Sequence, residues 1–356
     1  MKLVKNGLLC LIMASLLLLN NGLVAQSDSI RMSRKVLFTL VYNDVPSNSG
    51  VPLVGMINRA RGDYQGLQLG FLNFNDLSFK GLQLGFMGVV KGNVNGLQLA
   101  FLNVGIKNVR GAQLGFVNNT RSDLNGAEVG FVNLIGERGN GLQIGFLNAT
   151  KKSLNGAQIG FLNVSDSNVR GAQIGFLNLI KGTVSGFQLG FVNLVDSVSE
   201  GVALGFLSYV KRGGYRAIDV SSNELYPVNI GFKIGTTKLY SIIQTSYSGE
   251  FTDKFAIGTG VGSLFKINQN WSFSPEAVFS SSLNKQPTIS TSLRFSLRYS
   301  LSKHLQLAGG LSAVQYTKAN DKSATPWFKI TDVRLDDDNR IVFGAGVSLI
   351  YNFTEL

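Results

Sequence analysis

Covalent and acid–base catalysis draw on a short set of side chains, and this chain holds few of them. Cys10 is its only cysteine and His304 its only histidine. Cys-His nucleophiles, Ser-His-Asp triads and most zinc sites are excluded on that count. Gly258-Thr259-Gly260-Val261-Gly262 has the glycine density of a phosphate-cradling loop. Its glycines alternate within an apolar pattern and no helix follows, so it reads as strand. Asp336-Asp337-Asp338 is an acidic tip that could hold calcium. Three adjacent carboxylates without spaced ligands fit a solvated turn better. His304 opens a strand pattern and has no evident partner. Glu276 and Arg294 fall on the polar faces of neighbouring strand patterns. A turn near residue 285 would set them opposite each other as an inward ion pair. The expectation is a protein that is not an enzyme and carries no cofactor or metal.

The elements that could position any site are dominated by one repeat. From Gly66 the chain reads GLQLGFLN, GLQLGFMG, GLQLAFLN, GAQLGFVN, GAEVGFVN, GLQIGFLN, GAQIGFLN, GAQIGFLN, GFQLGFVN and GVALGFLS, each starting 15 residues after the last. A degenerate copy, VPLVGMIN, precedes them at Val51, which makes eleven units without an insertion or deletion. Counting the leading glycine as position 1, positions 2, 4 and 6 are apolar and share one face of a strand. Position 5 is small and lets a neighbour approach. Position 8 is mostly Asn, a residue suited to closing a turn at a strand end.

Two architectures use such a unit. In a β-solenoid each repeat is one turn of a coil, and identical positions stack at about 4.8 Å. Phe71, Phe86, Phe101, Phe116, Phe131, Phe146, Phe161, Phe176 and Phe191 would then form one ladder. Asn73, Asn103, Asn118, Asn133, Asn148, Asn163, Asn178 and Asn193 would form another. Both are read as structure, ladder and core, in preference to ligand contacts. In an antiparallel meander each repeat is one strand, and equal positions fall at opposite ends of neighbours. Likeness of every position, turns included, is what parallel stacking rewards, so the solenoid is favoured. One continuous large antiparallel barrel is the alternative.

The GLQIGFLN-type unit at fixed 15-residue spacing resembles the surface-repeat proteins of spirochaetes and Bacteroidetes. The resemblance covers about 165 residues, and this chain departs from it at Gly88 and Ser208, where the Asn is lost. It implies an exported, surface or outer-membrane location and no particular activity.

The flanks set the compartment. Lys2 and Lys5, the apolar run Leu8–Leu19 and the small Ala25 have the layout of a secretory signal peptide, too short for a spanning helix. Cys10 lies inside that apolar run, which does not suit a lipid anchor. The formal charge of +12 falls to +10 without Lys2 and Lys5. Basic residues gather at the repeat turns: Lys91, Lys107, Arg110, Arg121, Arg138, Lys151, Lys152, Arg170 and Lys181. They could meet acidic glycan or lipopolysaccharide phosphate, or simply keep the rod soluble. No aromatic-basic platform points to nucleic acid.

After Gly213-Gly214 the repeat stops and alternating runs follow near 227–235, 237–247, 254–266, 270–281, 288–301, 303–317, 325–335 and 340–353. Runs of this length, apolar on one face and small or polar on the other, match an outer-membrane barrel. Trp271, Tyr299, Tyr316, Trp327 and Tyr351 are candidates for its aromatic girdles. The expected organisation is all-β: a signal peptide at 1–25, a lead-in strand or cap at 26–50, the solenoid at 51–215, and an eight-stranded antiparallel, outer-membrane-type barrel at 216–356. The expected function is a structural or adhesive repeat anchored by that barrel in outer-membrane lipid. A porin or transport channel and a soluble periplasmic binding module are the alternatives.

Overall fold

The computed structural model describes residues 36–248, 254–284, 287–317, 326 and 328–354. The signal-peptide segment 1–25 and Trp327 lie outside the described residues. Among those described, every regular element is a β-strand.

The repeats form a parallel β-solenoid of about ten turns. The alternative of one continuous antiparallel barrel is overturned, because each repeat pairs in parallel with the next. Gln143 aligns with Gln158, Ile144 with Ile159 and Asn148 with Asn163, an offset of one unit throughout. Within a turn, one strand covers positions 14 to 4, as in Tyr64–Leu69, and a second covers positions 7 to 10, as in Leu72–Asn75. The chain bends at positions 5–6 and 11–13. Residues 36–50 add a further short turn: Tyr42–Val45 pairs with Ile57–Ala60 in the same register. The lead-in thus belongs to the coil.

Two outcomes differ from the expected positions. The phenylalanines stack as a ladder, with ring centroids 4.8–5.1 Å apart from Phe71 to Phe206, but they stand outside the core and are 43–53% exposed. The interior instead holds Gln at position 3 and Asn at position 8, all buried, beside apolar residues at positions 10 and 14 such as Val90, Val94, Val109 and Leu124. Asn is therefore no turn former; it sits mid-strand and points inward. The reason is geometric. Positions 14, 3, 8 and 10 point into the coil, where position 14 holds the rings of Tyr64 and Phe79 in two turns, while the bend at 5–6 swings position 6 outward.

Position 1 explains its glycine. From Gly66 to Gly201 its φ runs from 107° to 159°. A Cβ on Gly126 would stand 1.8 Å from the Gly111 carbonyl oxygen. Both backbone conformation and the approach of adjacent turns exclude a side chain there.

The C-terminal part is a closed eight-stranded antiparallel barrel. Its strands are β1 (Tyr215–Ser222), β2 (Val228–Gly235), β3 (Tyr240–Tyr247), β4 (Phe255–Gly262), β5 (Trp271–Ser282), β6 (Ile289–Ser300), β7 (Leu305–Thr317) and β8 (Asn339–Asn352). Closure is between β1 and β8. The tally of eight matches expectation, but the staves differ. Residues 215–222 form a stave ahead of the first alternating run expected near 227–235. The run 325–335 contributes only the short strand Thr331–Arg334, paired to β8. Its alternation is that of a hairpin arm beyond the barrel rim. At the end where β1 begins the strands are joined by residues 236–239, 263–270 and 301–304; at the other end they are joined by 223–227, 248–254, 283–288 and the longest connection, 318–338.

Candidate functional site

Three surfaces or clusters have chemistry to offer: the amide ladders inside the solenoid, the polar interior of the barrel, and the apolar exterior of both.

Each buried amide of the solenoid is held by the turns above and below. Gln98 Nε2 donates to Gln83 Oε1 at 2.7 Å, and Gln113 Nε2 to Gln98 Oε1 at 2.6 Å. Asn133 Nδ2 donates to Asn148 Oδ1 at 2.8 Å and to the Ile144 carbonyl at 2.8 Å. Burying an amide is tolerable when its donors and acceptors are met, and costly otherwise. The Gln ladder donates toward the N-terminal end and the Asn ladder toward the C-terminal end, so their dipoles oppose. Gly88 interrupts the Asn ladder and leaves Asn103 Oδ1 without a partner; Ser208 ends it by accepting from Asn193 Nδ2 at 2.9 Å. Apart from the oxygens of Asn43, Asn103 and Gln188, which have no partner, the amide oxygens of the stacks are taken up by neighbouring turns.

Glu128 replaces Gln in one turn. It is fully buried, and Gln143 Nε2 donates to its Oε2 at 2.8 Å. Burial pushes its carboxyl up to about 8. At neutral pH the group is therefore mostly the uncharged acid, a near-isostere of the glutamine it replaces.

Inside the barrel, Glu276 and Arg294 are register partners across β5 and β6, as the proposed turn requires. Their charges are spent elsewhere. Glu276 Oε1 accepts from Lys233 Nζ at 2.6 Å, Tyr240 OH at 2.7 Å and Arg298 Nη2 at 2.8 Å. Arg294 Nη2 donates instead to Gln244 Oε1 at 3.0 Å. Arg298, wholly buried, also donates to Ser274 Oγ and Tyr215 OH, each at 2.7 Å. Sequence reasoning missed Lys233 and Arg298 because they reach Glu276 across the barrel or from four residues along the neighbouring strand. The signal available was that both sit on inward faces. Gly262 belongs to the same design: a Cβ there would lie 2.6 Å from the Tyr240 ring that holds Glu276.

The barrel interior is filled. Tyr215, Tyr240, Ile242, Val278 and Ile350 pack one half, and Leu225, Tyr226, Val314, Tyr316 and Val342 the other. Tyr316 is therefore interior and not a girdle residue. A polar void of about 20 Å³ beside Arg294, Ser312 and Ser348 has room for about one water.

The exterior of the barrel is apolar. On β6 the outward series is Ile289, Thr291, Leu293, Phe295, Leu297 and Tyr299, all exposed and apolar but for Thr291. Ten residues of tilted strand make this belt about 25 Å tall. At the end where β1 begins, Trp271 packs on Tyr299 with centroids 5.0 Å apart, and Tyr351 lies against His304. At the other end Tyr247 meets Phe255 at 5.1 Å. His304 has a partner after all: its Nδ1 is 2.9 Å from the Asn352 carbonyl oxygen.

The solenoid's last turn lies against this wall. Ser241 Oγ donates to the Gly205 carbonyl, and the Arg216 guanidinium stands 5.0 Å above the Tyr209 ring. Beside it runs an apolar groove of about 620 Å³ between Phe206 and the outward Ile218, Ile230, Ile257 and Phe279.

The basic turns are partly neutralised. Lys91 pairs with Asp76, Arg138 with Asp123, Lys152 with Glu137 and Lys181 with Asp166, each across adjacent turns. Lys107, Arg110, Arg121, Lys151 and Arg170 make no ion pair among the described residues. Asp336 is engaged by its own turn, accepting from the backbone N–H of Asp338 and Asn339.

No known protein family, curated protein or solved structure matches this chain.

Proposed function

We propose that this is a non-enzymatic outer-membrane protein in which the barrel is the anchor and the solenoid a structural rod carried at its side. The observation that carries the reading is the barrel's polarity. Most charged and hydroxyl groups are turned inside, with Glu276 at the centre of their pairing, while the outer wall is a largely apolar belt of about 25 Å, the height of the apolar band of outer-membrane barrels. Water is a poor solvent for that wall. A soluble binding module would reverse the arrangement.

The filled interior favours an anchor over a porin. An eight-stranded barrel has just the width its own side chains occupy. The rod's chain enters the barrel at Tyr215, where β1 begins, and its last ring, Phe206, lies against Ile230 and Ile257 of the outer wall. The signal-peptide pattern at 1–25 and the resemblance of the repeat units agree with export. The basic residues without ion pairs remain the places where lipopolysaccharide phosphate or acidic glycan would be met.

Membrane fractionation with heat-modifiable gel migration tests the anchor. The protein should sediment with outer membranes and migrate faster unheated than boiled. A soluble, heat-insensitive product would overturn the reading. Reconstituted into planar bilayers, it should show no stepwise conductance.

A further inference from the structure

The barrel is not the only part of the chain with an apolar outside. Positions 2, 4, 6, 7 and 9 of the repeat all face outward and are mostly apolar, whereas the amides face in. The solenoid therefore has the barrel's polarity. Its outward charges lie at one corner, positions 11–13, and the adjoining position 15, apart from Asp44 and Arg59 at position 9 of the first turns. The opposite corner carries the stacked rings from Phe71 to Phe206, an uninterrupted ridge about 45 Å long at the spacing of parallel strands. The six-residue strand between the corners separates them by about 20 Å.

We infer that this phenylalanine ridge is a membrane-interface contact, lying in the headgroup and upper acyl region of the bilayer that holds the barrel. The inference rests on the barrel reading above. What selects lipid as the occupant is continuity. Phe206, the last ring of the ridge, shares an apolar groove with Ile218, Ile230 and Ile257 of the barrel's outer wall. One apolar surface thus runs from wall to ridge without a polar break. A second copy laid along the ridge would meet the barrel wall beside Phe206; a fluid bilayer continues past both. Immersion by 5–10 Å, usual for interfacial elements, wets the flanking positions 4 and 7 with lipid and leaves the charged corner in water.

The test uses the full chain on a Cys10→Ser background, reconstituted in phosphatidylethanolamine–phosphatidylglycerol vesicles. Single cysteines at Phe116 and Phe146 report the ridge, at Lys107 the charged corner, and at Leu293 the barrel wall, each carrying an environment-sensitive fluorophore. Probes at 116, 146 and 293 should shift to the blue and lose emission when the lipids carry brominated acyl chains; the probe at 107 should do neither. Phe146→Trp, which keeps the ring stack, gives a second reading if a labelled cysteine disturbs the fold. Quenching at 293 with none at 116 or 146 overturns the inference and leaves the anchor standing. No quenching at 293 overturns the anchor, and the inference with it. Ridge probes that are shielded from brominated lipid but cross-link between molecules would assign the ridge to self-association, which also overturns it.

Discussion

A buried amide in the solenoid works only as a link between two others, and a single break should be felt on both sides. Asn148 accepts from Asn133 and donates to Asn163 and the Ile159 carbonyl. Asn148→Ala strands these partners, and thermal or denaturant unfolding should show a loss of about 1–3 kcal/mol for each unmet group. Glu128 makes a prediction of opposite sign. With its carboxyl raised to about 8 from an ordinary 4.5, the folded chain keeps a proton that the unfolded chain has lost between those values. Its contribution to stability is full below about pH 4.5, falls as pH climbs through about 8, and then levels off. Glu128→Gln removes that dependence. The variant should melt close to the parent at pH 5 and above it at pH 8, by an amount on the order of a few kcal/mol at 25 °C. Equal melting differences at both pH values would refute the protonated-ladder account. At this scale the sequence told the ladders but misplaced the rings. Gln and Phe recur with equal regularity, and nothing in a period of 15 says which column faces in. Hydrophobicity pointed the wrong way, because the bend at positions 5–6 turns the phenyl column outward, while the amides at 3 and 8 sit on inward-facing strand positions.

Elements in this molecule are interchangeable in one half and unique in the other. Removing residues 156–170 deletes one solenoid turn and leaves every neighbour a like partner: Gly141 would meet Gly171 as it now meets Gly156. Circular dichroism should keep its β-signal and the barrel its heat-modifiable migration. Loss of either would show that the turns are not equivalent. The barrel is less forgiving. Glu276→Leu leaves Arg298 buried without its counter-charge and Lys233 with Asp219 alone at 3.6 Å, and an unfolding titration of the barrel should record a loss of about 3–5 kcal/mol. Arg294→Gln, whose partner is the neutral Gln244, should cost less. The alternation of β4, β6 and β8 was legible because each lies between lipid-like exterior and polar interior. Stave β1 was not, since Tyr215 follows directly on the last repeat. The true partners of Glu276 were hidden for a related reason: side chains that meet across a barrel lumen share no sequence spacing.

At the scale of the whole molecule, rod and barrel share one solvent logic, polar groups within and apolar surface without. The unbroken register of the solenoid has a further consequence for how such chains can vary. The barrel touches only the last turns, and every internal turn offers the same two faces to its neighbours. A tandem duplication or loss of one 15-residue unit in the gene therefore lengthens or shortens the rod by a single step of about 4.8 Å and asks nothing of the barrel. Strains or relatives carrying this protein should differ in rod length by whole steps. A length polymorphism of fractional units would be as disruptive as a frameshift, because it would turn the columns of Asn and Gln out of line.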